Sequence, residues 1–439
     1  MNRMKPICST VFMGGPGESV PLQNDGAREA SETPPRVIVF FDHTALMSGG
    51  EIALLHLVQH LDRRRYLPVV VLSAEGPLLA RLADSGVETH VLLLDESVSE
   101  TRKDSLGARG LLRPGAALDV VRYAWRLARF LKARKADLLH TNSLKSDVIG
   151  GIAGRLARIP VIWHIRDRIA TDYLPKPAVT GFRWLCRILP NYIITNSEAT
   201  LKTLCLDVDG RAAVIHSGVT KTYVRVVHDG VEDGAVPEIK PIRGYGQSPV
   251  IGLVGRLSPW KGQHIFLAAA AEVRKQFPTS RYQIIGSAMF GEDAYEAEMR
   301  QLCETLGLSD CVEFTGFRKD VSALISQLDI LVHASTIGEP FGQVVVEGMV
   351  AGKPVVATNG GGVPEIVEEG VTGWLVPMGE SAPMAEAIMR LLRDPVGSAE
   401  KGAAGRRRVL EHFTIELTAR RVQEVYEQFW SDHGALASR

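Results

Sequence analysis

The 439-residue sequence contains no run of 18 or more apolar residues, so it offers no candidate membrane-spanning helix. Cysteine is scarce. Cys8, Cys186, Cys205, Cys303 and Cys311 form no CxxC pair and show no regular spacing. Neither a disulfide framework nor a zinc site follows from them, and a reducing cytosol is the expected compartment. Excess charge is also missing. The chain carries 50 Lys and Arg against 50 Asp and Glu, whereas a general nucleic-acid binder would carry a basic surplus. No G-x-x-x-x-G-K-[ST] loop and no complete G-x-G-x-x-G fingerprint occur, which counts against a P-loop NTPase and a nicotinamide oxidoreductase. Near the start, the apolar stretch after Arg3 and Lys5 is broken by Pro6, Gly14, Gly15 and Pro16, too early for a signal-peptide core. Residues 1–35 are expected to be a disordered tail or an over-extended start.

What is present is a long alternation of strand-like and helix-like segments. Apolar runs occur at Arg36–Phe41, Leu67–Leu72, Thr89–Leu94, Asp137–His140, Val161–His164, Tyr192–Thr195 and Ala213–His216. Amphipathic stretches such as Glu51–Leu61 and Leu118–Lys132 separate them. A second series comprises Val250–Val254, Tyr282–Ile285, Val312–Phe314, Ile330–His333 and Pro354–Ala357. Apolar strands alternating with helices read as βαβ units around parallel sheets covered on both faces. The expected fold class is α/β, with two doubly wound Rossmann-like domains at 36–219 and 249–412. Residues 220–248, rich in Gly, Pro and charge, read as their connection. A last amphipathic helix at 413–431 carries Leu417, Val422, Val425, Tyr426 and Phe429 on one side; pattern alone lets it pad the second domain or return to the first.

The segment Glu339–Glu347 (EPFGQVVVE) holds the densest chemistry. A strand leads in and a helix leads out. That helix start offers free backbone N–H groups at Gly342, Gln343 and Val344, together with the positive end of the helix dipole. Glu339 stands at its mouth, and Glu347 is placed to accept from a ribose diol. Upstream, GLVGRLSPWKG follows a strand directly, so Arg256 and Lys261 flank a βα turn where two cations can neutralise a diphosphate. In the first domain, Gly49 and Gly50 (in MSGGE) and His164 (in VIWHIRD) fall at the carboxyl edge of strands, where open α/β sheets bind ligands.

Together these pieces resemble the retaining glycosyltransferases of the GT-B fold, family 4. The resemblance runs from Arg36 to about Trp430 and rests on GGE, VIWH, ITNSE, VIHSGV, GRLSPWKG, EPFGQVVVEGMVAGKPVVAT, GGGVPEIV and VTGWLVP. It implies a nucleotide-sugar donor, UDP- or GDP-linked, on the second domain and an acceptor on the first. It assigns Arg256 and Lys261 to the diphosphate, Glu347 to the ribose, and Gly342, Gln343 and Val344 to phosphate or sugar. Glu339 and His164 would contact the transferred sugar, with Gly49 and Gly50 approaching the diphosphate across a cleft. It also favours a last helix that crosses back to the first domain. Ser217 departs from the family's usual Asn in VIHSGV.

Bond cleavage at the anomeric carbon releases a nucleoside diphosphate, and two cations plus a helix N-terminus stabilise that charge. No metal and no separate cofactor is therefore expected. The DxD at Asp207–Asp209 reads as a loop. No carboxylate is an obvious nucleophile, which favours same-face attack guided by the leaving phosphate, with His164 positioning the sugar. Residues 36–219 carry 25 basic and 18 acidic residues, against 22 and 28 in residues 220–439. The basic segment Thr101–Lys135, which overlaps the long loop Glu96–Ala116, suits a lipid-linked acceptor at an anionic membrane surface, or is simply solvated. Leu118, Val121, Trp125, Leu127 and Leu131 are expected to pack inward. The expected partners are the donor and a saccharide or lipid-linked acceptor, without nucleic acid, in the cytoplasm or at the membrane's cytoplasmic face. A decayed GT-B scaffold and a GT-B synthase acting on a small free sugar are the alternatives.

Overall fold

The computed structural model describes residues 34–94, 114–206, 223–232, 242–244, 246–289 and 291–437. Nearly all of the 1–35 tail, most of the 96–116 loop, the Asp207–Asp209 DxD, the Ala213–His216 strand and Ser217 lie outside them.

The first half runs β1 (Arg36–Asp42), α1 (Gly49–Gln59), β2 (Tyr66–Leu72), α2 (Pro77–Asp84), β3 (Glu88–Val91) and α3 (Pro114–Ala133). It continues through β4 (Leu138–Thr141), α4 (Leu144–Ala157), β5 (Val161–Ile165), α5 (Lys176–Leu185), β6 (Tyr192–Thr195), α6 (Glu198–Leu204) and β7 (Tyr223–Val226). Its strands form one parallel sheet in the order β3-β2-β1-β4-β5-β6-β7. In β1, Val39 and Phe41 join the core on one face while Ile38 and Phe40 join the core on the other. Both alternating sets are apolar because helices cover both faces.

The second half comprises β8 (Val250–Val254), α7 (Gln263–Gln276), β9 (Arg281–Ile285), α8 (Asp293–Thr305), β10 (Val312–Gly316), α9 (Val321–Gln327) and β11 (Ile330–His333). Next come α10 (Gln343–Val350), β12 (Val355–Thr358), α11 (Val363–Ile366), β13 (Gly373–Val376), α12 (Ser381–Arg393), α13 (Pro395–His412) and α14 (Ile415–Ala437). This second parallel sheet has the order β10-β9-β8-β11-β12-β13. In each sheet the strand order reverses once, between β1 and β4 and between β8 and β11. Ligands of such sheets bind in the crevice at the carboxyl ends of those strands.

The structure departs from the sequence reading at several places, among them β7 and α3. Tyr223–Val226 lies inside the stretch read as connection, yet it pairs with β6 as a seventh strand. Four residues are too few to carry a visible period. On α3, Leu127 and Leu131 are fully buried, but Leu118, Val121 and Trp125 are 49%, 50% and 53% exposed. The buried face is Tyr123, Ala124, Leu127, Ala128 and Leu131. Positions 118, 121 and 125 lie on the opposite face at helical spacing, so one helix cannot bury both sets.

Helix α14 packs on the first sheet. Ala419, Val422, Val425, Tyr426 and Phe429 share a core with Ile38, Phe40, Leu54 and Tyr66. The Tyr66 ring meets both Tyr426 and Trp430, and Arg36 sits 4.0 Å over the Trp430 ring. Fully burying side chains of this size stabilises by about 1.5–3 kcal/mol each. The segment entering α14 runs beside the one leaving β7: Val231 N donates to Phe413 O and Ile415 N to Val231 O, both at 3.0 Å.

Candidate active site

The second half builds its part of the site from the turns after β8 and β11. After β8, Pro259–Lys261 forms a single 3-10 turn ending at Gly262, whose φ of +73° only glycine adopts freely. A Cβ there would lie 2.0 Å from Ala334 O, so the turn also presses on the segment that follows β11. This contact brings Lys261 beside Glu339. Lys261 Nζ donates to Glu339 Oε1 at 2.5 Å, and Ser335 Oγ donates to the same oxygen at 2.5 Å. His333, the last residue of β11, places Nε2 3.0 Å from it and bonds Thr358 through Nδ1 at 3.0 Å. Burial alone would raise the Glu339 carboxyl. The Lys261 ammonium and His333 outweigh it and hold the group well below the usual carboxylate range.

Arg256 takes a different partner. Its Nε lies 3.2 Å from Glu292 Oε2, and Ser258 Oγ donates to Glu292 Oε1 at 2.6 Å. The Trp260 ring lies near both cations, 4.4 Å from Lys261 Nζ and 5.9 Å from Arg256 Cζ. Both cations expected to meet a diphosphate are thus paired with carboxylates.

Helix α10 begins at Gln343, two residues after the start expected near Phe341, with Gly342 as its N-cap at φ +116°. Its opening amides at Gln343 and Val344 have no partner within the helix. Glu347 lies one turn in, and burial pushes its carboxyl up to about 7 against the opposing pull of Gln343 and Lys261.

In the first half, Gly49 and Gly50 open α1, where Ser48 N donates to Glu51 Oε2 at 3.1 Å and fixes the helix start. Gly50 O accepts from Asn142 Nδ2 at 3.0 Å, and a Cβ on Gly50 would sit 3.7 Å from Arg166 Cδ. Below them lies a buried polar network. Asp42, ending β1, accepts from Asn142 Nδ2 at 2.7 Å and from Ser143 Oγ at 2.9 Å. Arg166 Nε donates to Asn142 Oδ1 at 2.8 Å, and its Nη1 pairs with Asp229 on the crossing segment. Burial lowers the Arg166 guanidinium to about 10, opposed by Asp42, Glu51 and Asp147. His164 is fully buried. Burial and the Arg166 charge push its pKa far down, so the ring is neutral, and its Nδ1 faces both His140 and Arg166.

The two halves also meet directly. Arg168 Nη1 donates to Gly338 O at 2.9 Å, and Ser197 and Thr200 donate to Pro340 O. Glu365 of α11 caps α6, accepting from Glu198 N at 3.0 Å and Ala199 N at 2.9 Å, while His228 Nε2 lies 2.7 Å away. Two motifs noted in the sequence, ITNSE and VPEI, are therefore two sides of one contact, and Ser197 of the first also donates to Pro340, next in the chain to Glu339.

The architecture agrees with what similar proteins show. Residues 237–408 match the family model for glycosyl transferases group 1, and residues 47–222 match that for glycosyltransferase family 4. The chain belongs to the group 1 glycosyltransferases of the GT-B fold. It is similar to the crystal structure of HepE from Anabaena in complex with UDP and glucose, at 28% identity and a TM-score of 0.72. That similarity covers 90% of this chain and 100% of HepE. It is 32% identical to spore coat protein SA of Bacillus subtilis over 225 residues, 50% of this chain and 59% of that protein. It is 28% identical to the 2-deoxystreptamine glucosyltransferase of Streptomyces kanamyceticus over 316 residues, 67% of this chain and 78% of that one. The chain thus spans less than two thirds of the first of these curated relatives.

Sequence reasoning missed Asp42, Asn142, Asp229, Glu292, His333 and Ser335. Asp42 carries a signal, a charged residue closing the apolar run RVIVFFD at the carboxyl edge; the others stand in unremarkable loops or strand ends.

Proposed function

We propose that this group 1 glycosyltransferase moves a sugar from a UDP- or GDP-linked donor to a saccharide or lipid-linked acceptor, with retention of configuration. The observation that carries the reading is the cluster of Lys261, Glu339, Ser335 and His333 at the β8/β11 crevice, beside the open N-terminus of α10. On donor binding, the diphosphate takes over Lys261 and Arg256 from Glu339 and Glu292. Glu339 is then released to a sugar hydroxyl. Gly342, Gln343 and Val344 supply phosphate or sugar contacts, and Glu347 receives the ribose diol, whose donors favour its ionised form. Gly49 and Gly50 approach the diphosphate from the first half. The complex of HepE with UDP and glucose supports this class of donor.

For the chemical step, positive side chains and a helix N-terminus stabilise the departing diphosphate, so this reading requires no metal and no separate cofactor. The acceptor hydroxyl attacks the face the phosphate leaves, and its proton passes to that phosphate. His164 bonds a sugar hydroxyl and is not the base.

The acceptor side is read as working against an anionic membrane. Supporting this, Leu118, Val121 and Trp125 are exposed on α3 beside Arg122, Arg129 and Lys132. Basic side chains add about 1 kcal/mol each near such a surface, and the indole suits the headgroup layer. Among the described residues no helix is long and apolar enough to cross a membrane. The experiment that tests the function is incubation with UDP- and GDP-sugars and synthetic lipid-linked or free acceptors. Proton NMR of the product reads its anomeric configuration. Inversion, or no transfer with any donor, contradicts the proposal.

A further inference from the structure

A line of buried polar groups runs from the C-terminal helix to the first-half site. On α14, Tyr426 Oη lies 2.7 Å from His140 Nδ1. His140 Nε2 lies 3.1 Å from His164 Nδ1, and Arg166 Nη2 lies 3.3 Å from that same Nδ1. Tyr426, His140 and His164 are fully buried, Arg166 nearly so. His164 Nε2 has no hydrogen-bond partner among the described residues.

The direction of each bond follows from the Arg166 end. A guanidinium nitrogen can only donate, so His164 Nδ1 must accept. A neutral ring accepting at Nδ1 carries its proton on Nε2. His140 Nε2 faces the same acceptor and must therefore donate. That leaves His140 Nδ1 as an acceptor, which Tyr426 Oη–H fills. Protonation of His164 would set donors against each other at Nδ1, and burial beside Arg166 opposes a charge on either ring; the His140 pKa falls to about 3. With both rings neutral, only one arrangement of protons satisfies all three contacts.

We propose that Tyr426 and His140 are positioning residues which, with Arg166, lock His164 in the Nε2–H tautomer as a fixed donor to a hydroxyl of the transferred sugar. The inference rests on the reading above that His164 meets that sugar, once the site rearranges around the donor. His164 cannot then serve as a general base, because its lone pair is committed to His140 and Arg166. The helix that returns from the second half thereby sets the orientation of a group at the first-half site.

The test uses the full-length chain labelled with ¹⁵N-histidine. Long-range ¹H–¹⁵N NMR reads which ring nitrogen of His164 is protonated, without any substrate. The expected result is protonated Nε2 and bare Nδ1 in wild type, retained in His140→Gln, whose side-chain amide still donates. His140→Leu removes that donor and leaves Nδ1 the longer Arg166 contact alone, so a minor population of the Nδ1–H tautomer should appear. Nδ1 protonated in wild type, or identical spectra for the two variants, overturns the inference. Turnover adds a second readout. His140→Leu should lower kcat for UDP-glucose hydrolysis about tenfold with KM unchanged, and His140→Gln should recover most of it. Equal losses in the two variants also count against positioning. Tyr426→Phe, which removes one hydroxyl, carries the comparison if His140→Leu does not fold. Absence of hydrolysis in wild type contradicts the functional reading alone, since the tautomer is read independently.

Discussion

Lys261 Nζ donates to Glu339 Oε1 at 2.5 Å, joining a cation from the turn after β8 to a carboxylate from the turn after β11. Two side chains 78 positions apart in sequence meet because β8 and β11 are neighbours and because Gly262 lets their connecting turns touch. The pair occupies the cation that the proposed function gives to the diphosphate. On that proposal, donor binding is an exchange of one anion for another at Lys261.

That exchange predicts a split between binding and turnover. Glu339→Gln leaves Lys261 without a competing charge, so UDP should bind at least as tightly as to wild type. Transfer should fall by about tenfold or more, because the contact to the sugar is weakened. Calorimetry with UDP and initial rates with the active donor check the two halves separately. Loss of UDP binding in step with turnover would mean that Glu339 holds the phosphate site together instead.

Glu347 gives a pH prediction. Its carboxyl is raised from 4.5 to about 7 in the folded chain, so between those values the native state holds a proton that the unfolded chain releases. Its contribution to stability is therefore lost as pH rises through that window. Glu347→Gln should raise the melting temperature at pH 8 and change it little at pH 4.5. Scanning calorimetry at both pH values checks this, and an equal shift at both contradicts it.

The Glu365 clamp joins the halves. Burial alone would raise this carboxyl, but His228 and the amides of Ala199 and Glu198 outweigh it and lower its pKa. A depressed carboxylate stabilises above its unfolded pKa and loses that contribution as pH falls. Glu365→Ala should cost about 1–3 kcal/mol at pH 7, from the lost acceptor for the Glu198 and Ala199 amides and the broken charge-assisted bond to His228, and less under acid. Urea unfolding followed by tryptophan fluorescence measures it. A pH-independent difference would show that the lost contacts are not electrostatic.

Exposure of Trp125 makes the membrane reading testable without disturbing the core. Trp125→Glu should leave the melting temperature within about 2 °C, as surface changes do. It should reduce flotation with phosphatidylglycerol liposomes, and wild-type flotation should itself weaken with added salt. Wild-type protein that does not float with anionic vesicles at low salt rules the surface out.

Much of the fold was legible because a parallel sheet covered on both faces leaves continuous apolar runs: Tyr192–Thr195, Val250–Val254 and Ile330–His333 coincide with strands residue for residue. The donor-side turns were legible because Gly, Arg, Lys and Glu there interrupt such runs at the carboxyl edge. What stayed hidden depends on strand order and crossing segments. Asp229 reaches Arg166 because the residues after β7 leave the same carboxyl edge of the parallel sheet as those after β5. Tyr426 reaches His140 from 286 positions away because α14 returns. Neither proximity leaves a local pattern. On α3 both faces carry apolar residues, and periodicity does not say which one the sheet takes.

The most direct measurement of the central claim is UDP binding by titration calorimetry to wild type and to Lys261→Ala, with circular dichroism confirming that both fold. The account predicts that wild type binds UDP and that the substitution weakens it by at least about tenfold, as loss of a charged contact to phosphate does. Equal affinity in the two proteins, or no UDP or GDP binding by wild type, contradicts it.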